Sequence, residues 1–209
     1  MENKEQIARA AEYLFMSYGV RSVTMDDIAK RLGISKKTIY QHFRDKDEVV
    51  CLATLRILER EKTELDQIQG QAENAIHELH LLSNYIRQHI VNINPSALFD
   101  LQKYHQDAWE IYLNFKDTVF LQSVELTLER GINEGYFRAG IDPKILAVLR
   151  IEQIHISFDE RVFPKDEYDL KEVHLQLFDH FTHGVLTPKG VELFQKYFKI
   201  PVDNAENTP

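Results

Sequence analysis

The chain has 209 residues, 44% hydrophobic and 28% charged, with a formal net charge of -8 and a pI near 5.6; this suits a folded soluble protein with apolar material for a sizeable core. No run of about eighteen apolar residues occurs, and the start "MENKEQIARAAEYLF" is polar and then amphipathic, so neither a membrane span nor a signal peptide is expected. The single cysteine, Cys51, excludes an internal disulfide and a cysteine metal cluster, and with the other two points favours a reducing cytoplasm.

Glycine (8) and proline (6) are scarce and apolar residues recur mostly at three and four, so the predicted class is all-α. In the first helix Ile7, Ala10, Ala11, Leu14, Phe15 and Tyr18 fall on one stripe that Gly19 ends. Thr24-x-x-Asp27 approximates a capping box for "MDDIAKRL", a helix of about two turns that Gly33 closes. Ser35 opens a short third helix, and Asp45-Lys46-Asp47-Glu48 reads as the capping box of a fourth. Longer helices are then expected from Lys46 to about Ile68 and from Ala72 to about Ile93, where Asn94-Pro95 stops the chain. A short helix near Ser96–Tyr104 precedes a long one from Asp107 to about Asn133. Asp142-Pro143 supplies a cap and a first-turn proline to "KILAVLRIEQIHISF", whose apolar residues on nearly every side predict that two faces are covered. Asp169-x-x-Glu172 caps "LKEVHLQLFDHFTHGVL", an amphipathic piece spans Val191–Phe198, and "PVDNAENTP" reads as a disordered tail.

Charge divides the chain. Residues 1–48 carry a balance of +1 and the remainder -9. Lys30, Arg31, Lys36, Lys37, Arg44 and Lys46 cluster around Ser35, Thr38, Tyr40, Gln41 and His42. The two short helices joined by "LGIS" fit a helix-turn-helix: Ile28, Ala29, Leu32, Ile34, Ile39 and Phe43 form the inward set, and Gly33 allows the turn. The outward set on the second helix is Lys36, Lys37, Thr38, Tyr40, Gln41 and His42, which offers cations for phosphates and donors and acceptors for base edges. Lysines alone would be no more than a solvated helix face; the whole pattern points to DNA.

"VTMDDIAKRLGISKKTIYQHFRDKDEVV" resembles the DNA-binding signature of the TetR family of bacterial transcriptional regulators, with Tyr40-Gln41-His42-Phe43 and Lys46 in the family's places. The resemblance covers about residues 5–55; beyond it, "GYFRAGIDPKILAVL" and "THGVLTPKGVELF" are similar to segments flanking the family's last two long helices. It implies a DNA-binding unit over residues 1–46, a helical regulatory and dimerisation unit over 47–200, and the tail over 201–209. It implies phosphate contacts from Thr24, Tyr40 and Lys46, and base contacts from Lys36, Lys37 and Thr38 beside the Ser35 cap, with Gln41 and His42 on either. The implied partners are a palindromic double-stranded DNA operator, a small-molecule effector and a second copy of the chain, with no cofactor and no catalysis.

Two further constellations are weighed on the residues. His77-x-x-His80 and His180-x-x-His183 have a spacing that metals use, but without a third ligand they read as surface or partly buried histidines, and no metal is expected. The segment "FDLQKYHQDAWEIYLNF" brings together Phe99, Tyr104, Trp109, Tyr112 and Phe115. Each alone would be core; together they suit an effector pocket of the kind the resemblance implies. The apolar excess of the helices near Lys144–Phe158 and Leu170–Val185 predicts a two-fold interface through Ile151, Ile154, Phe158, Leu177, Phe178 and Phe181. The function predicted is a ligand-responsive transcriptional regulator, a repressor released by its effector. The competing readings are a helical protein–protein interaction module that no longer reads DNA, and an enzyme or carrier using the aromatic pocket.

Overall fold

A computed structural model describes residues 2–89 and 94–199. Eleven α-helices are found among them: α1 (Glu2–Tyr18), α2 (Met25–Leu32), α3 (Lys36–Tyr40), α4 (Lys46–Gln71), α5 (Ala75–His89), α6 (Ala97–Tyr104), α7 (Gln106–Phe115), α8 (Leu121–Asn133), α9 (Pro143–Ser157), α10 (Leu170–Val185) and α11 (Pro188–Lys199). Among the described residues the extended structure amounts to one isolated bridge, Phe137 to Leu186. The helix expected over 107–133 is instead α7 and α8, joined by a π-helical turn at Lys116–Phe120. Such a turn inserts a residue without ending the helix, so the apolar pattern carries no break to mark it. The end of the helix expected to reach Ile93 and the tail at 201–209 lie outside the described residues.

The caps form as the sequence dictates. Thr24 and Asp27 make a complete capping box on α2. Ser35 accepts from the Thr38 amide and Asp45 from the Glu48 amide, while Asp142 takes the amides of Lys144 and Ile145. Gly33 sits at φ 65°, the left-handed conformation that ends α2, and its amide returns to the carbonyls of Ala29 and Lys30. The short helices α2 and α3 therefore depend on their caps and on the core beneath them more than on length.

Two apolar clusters organise the molecule. The first joins Ile7, Ala11 and Phe15 of α1 to Ile28, Ile39 and Phe43, and it also takes Val49, Val50 and Ala53 of α4 and Leu101 and Ala108 of α6 and α7. The second gathers Ile76 and Leu79 of α5, Leu128 of α8, Phe178 and Phe181 of α10, and Phe194 of α11 around Phe137. Gly131 is required there, because a β-carbon at that position would overlap the Phe137 ring. A polar net ties the helix ends together: Arg130 reaches the Ala72 carbonyl (2.8 Å) and Glu134 (2.9 Å), and Glu134 accepts from the Ala75 amide (2.7 Å). His77 and His80 pack on Tyr197 and Phe198 of α11, so these imidazoles serve as stacking surfaces.

Candidate DNA-reading head and cavity

The helix-turn-helix is built as its side chains require. Ile28, Ile39 and Phe43 are each at most 1% exposed, which fixes the rotation of α2 and α3 about their axes. With that rotation set, Ser35, Lys36, Lys37, Tyr40 and Gln41 are exposed, and Thr38 and His42 are half-buried. Lys36 pairs with Asp26 at 3.1 Å, both largely exposed, so a nearby phosphate can compete for this cation. The Thr24 hydroxyl is already engaged with Asp27 at 2.6 Å, and these bonds hold the Asp27 carboxyl below its usual pKa. One exposed cation missing from the expected contact set is Arg44, at the end of the motif, with 81% of its side chain exposed.

Lys46 is placed differently from the other cations. Its ammonium turns inward and donates to the Val20 carbonyl at 2.6 Å, and burial lowers its pKa. The α1–α2 loop is thus held to the start of α4 by a charge-assisted bond.

The head is clamped to α6 and α7 at several points. The Arg21 amide donates to Asp100 (2.9 Å), and Asp47 meets the buried His105 ring. The Asn94 amide donates to the Met16 carbonyl (2.9 Å). Ala108 is fully buried in the head's core and Trp109 packs against it. One turn on, Tyr112 stacks on Trp109 (5.2 Å) and bonds the His155 ring of α9.

Tyr112 is also part of the wall of a cavity of about 350 Å³. Its lining runs from Phe15 and Val50 beside the head, through Leu58 and Leu79, to Arg150 and Phe178. The volume falls within the range of roughly 300–1,000 Å³ that small-molecule sites occupy. Of the five aromatics expected to line a pocket, Tyr112 alone does so. Phe99 and Tyr104 are 49% and 39% exposed, with Lys103 over both rings. Phe115 packs edge-on against Phe120, which is the aromatic that reaches the wall. Trp109 belongs to the contact between head and body. Composition marked the region, but helix rotation decides which rings face inward. Sequence reading missed two polar features of the wall: Arg150, the lone cation inside an otherwise apolar helix turn, and Glu61, which accepts from the Tyr85 hydroxyl at 2.8 Å.

Residues 7–51 match the family model of bacterial regulatory proteins, tetR family. The HTH-type transcriptional regulator YvaF of Bacillus subtilis is 26% identical over 165 residues, covering 78% of this chain and 86% of the relative. Over residues 7–51 the chain carries the TetR-family DNA-binding unit. A TetR-family regulator from Agrobacterium tumefaciens has the same fold, with a TM-score of 0.75 at 14% identity over 89% of this chain and 98% of that one. A transcriptional regulator from Saccharomonospora viridis in complex with choline superposes with a TM-score of 0.74 at 20% identity, covering 89% and 98%. The chain thus carries a DNA-binding helix-turn-helix, and the relatives it matches are transcriptional regulators, not enzymes.

The residues expected at a two-fold interface divide between the inside and the flank of the subunit. Ile151, Phe178 and Phe181 are buried inside the subunit, and with Ile154 and Phe158 they line the cavity; Leu177 is half-buried. What α9 turns outward is a different apolar set: Ile145 (66% exposed), Val148 (51%), Leu149 (47%) and Ile156 (42%). Of the two covered faces expected for α9, one subunit supplies one. One face closes the cavity and the other is bare.

Proposed function

We propose that this protein is a repressor that binds a palindromic operator as a homodimer and releases it when a small molecule fills the cavity. The observation that carries this reading is the continuity of α7. One end of the helix is built into the head through Ala108 and Trp109, and the next turn carries Tyr112 on the cavity wall. A ligand that displaces Tyr112 acts on the stacked Trp109, and through it on the core under α2 and α3.

The division of labour is a reading head over residues 1–46 and a regulatory body over 47–200, with the first half of α4 shared between them. Lys37, Thr38, Tyr40 and Gln41, with Ser35 and Lys36, meet the major groove, and Thr24, His42 and Arg44 stand beside them for phosphates. Lys46 positions the head and does not itself bind phosphate. The second copy covers Ile145, Val148, Leu149 and Ile156, because a solvent-facing helix with four such side chains gains by burying them on a two-fold axis. In that dimer the two α3 helices must stand roughly 34–36 Å apart, or a multiple of that, to meet successive major grooves. That a solved regulator of the same fold is in complex with choline supports a small-molecule site here.

The test is binding of the full chain to a palindrome selected from random duplexes. Tight binding that falls steeply with salt, and that Lys37→Ala and Tyr40→Ala weaken, is the expected outcome. Equal affinity for selected and scrambled duplexes would leave the chain without the operator proposed for it.

A further inference from the structure

Arg150 is 5% exposed and faces the cavity from α9. Its Nη1 is buried with no hydrogen-bond partner among the described residues. The guanidinium lies 5.2 Å from the Phe178 ring centre and 5.9 Å from that of Phe181. Those π-faces attract a cation but accept no strong hydrogen bond from it. Burial lowers its pKa to about 10, with no carboxylate among the described residues acting on it, so it stays protonated at neutral pH.

Among the described residues nothing around it on the wall supplies a counter-charge. His174 is buried, and burial first, then the Arg150 charge, lowers its pKa to about 3, so it is neutral. Its Nδ1 is occupied by the Ser157 hydroxyl at 3.1 Å. Glu61 is the one carboxylate among the described lining residues; it is bonded to Tyr85, and burial favours its protonated form. An unpaired buried charge is strongly unfavourable, and a methionine would fill the same space without that cost. A guanidinium kept in this position is suited to an anion, most of all a carboxylate that takes two parallel hydrogen bonds from it.

We infer that the cavity binds an amphiphilic monoanion, with its carboxylate on Arg150 between α9 and α10 and its apolar body along the wall toward Leu58, Val50 and Phe15. The inference rests on the cavity being the effector site. One cation in an apolar wall selects one negative charge: a second would go unpaired, and a cationic headgroup would meet Arg150 directly.

The experiment is isothermal titration of the full, delipidated chain with decanoate, decan-1-ol and decyltrimethylammonium, each below its micellar concentration. Decanoate should bind, the alcohol roughly tenfold more weakly or worse, as losing a charge-assisted bond implies, and the ammonium not measurably. Arg150→Met should reduce decanoate to the level of the alcohol and leave the alcohol unchanged, and Arg150→Lys should restore part of the preference. Should Arg150→Met fail to fold, the headgroup comparison on the natural chain decides alone. Equal affinity for acid and alcohol, a preference that survives in a folded Arg150→Met chain, or no binding by any carboxylate from hexanoate to tetradecanoate overturns the inference. Operator binding is measured on the same preparations. Its absence alongside an intact anion preference would count against the DNA reading alone.

Discussion

Lys46→Met separates two roles that one cation could have in the head. The methionine keeps the length and the apolar stem but removes the ammonium that donates to the Val20 carbonyl at 2.6 Å. Hydrogen bonds to charged groups contribute roughly 1.5–3 kcal/mol. Lys46 is only partly buried, so water recovers part of that and a loss of about 1–2 kcal/mol remains. For a chain of this size each kcal/mol moves Tm by about 2–4 °C, so a fall of roughly 3–6 °C is expected by calorimetry. Freed from α4, the α1–α2 loop no longer fixes Thr24 and the α2 cap, and operator affinity drops by a similar factor at every salt concentration. The slope of log K against log salt should stay that of the natural chain, whereas losing a phosphate contact would reduce it by about 0.9. An unchanged Tm with a slope reduced by that amount would refute the reasoning and return Lys46 to the DNA backbone.

Gly131→Ala forces a β-carbon into the Phe137 ring, and overpacking of that kind costs about 1–3 kcal/mol, lowering Tm by roughly 3–10 °C without changing the salt slope of DNA binding. Leu149→Asp, on the bare face of α9, should give a folded monomer by sedimentation, whereas Ile151→Asp, 3% exposed, should give misfolded chain; a Leu149→Asp dimer would place the interface elsewhere. His174 titrates near 3 when folded against 6.5 unfolded, so its contribution is complete above pH 6.5 and is lost as pH falls from there toward 3. At pH 5 the unfolded chain's extra proton accounts for about 2 kcal/mol, and His174→Leu should flatten the fall in Tm between pH 7 and pH 5 by a corresponding amount. An identical fall in both chains would mean that His174 is not buried neutral.

The parts of the molecule that local chemistry determines were legible in the sequence. Thr24, Ser35, Asp45 and Asp142 each satisfy amides within three residues, so their side chains announce helix starts whatever lies around them. The outward set of α3 was legible because Ile39 and Phe43 fix its rotation. Long-range packing was not. Nothing in "FDLQKYHQDAWEIYLNF" distinguishes Tyr112, on the cavity wall, from Trp109, in the head's core, since both belong to one stripe of α7. In α9 an apolar residue on every side is compatible with two covered faces or with one awaiting a partner, and the pattern does not tell buried Ile151 from exposed Leu149. The inward turn of Lys46 depends on a carbonyl 26 residues earlier, which helical periodicity does not encode. Arg150 did carry a signal, a single cation within "ILAVLRIEQI", but only the cavity gives that cation a purpose.

The central claim is that the cavity and the α3 helices are energetically coupled through α7. The measurement that tests it most directly is a pair of titrations on the natural chain, operator affinity with and without saturating ligand and ligand affinity with and without operator. Linkage requires that the two ratios be equal, and the account predicts that both show weakening, by about 5- to 150-fold for coupling of ordinary size. Ligand bound in the cavity with the same affinity in the presence and absence of operator would contradict it.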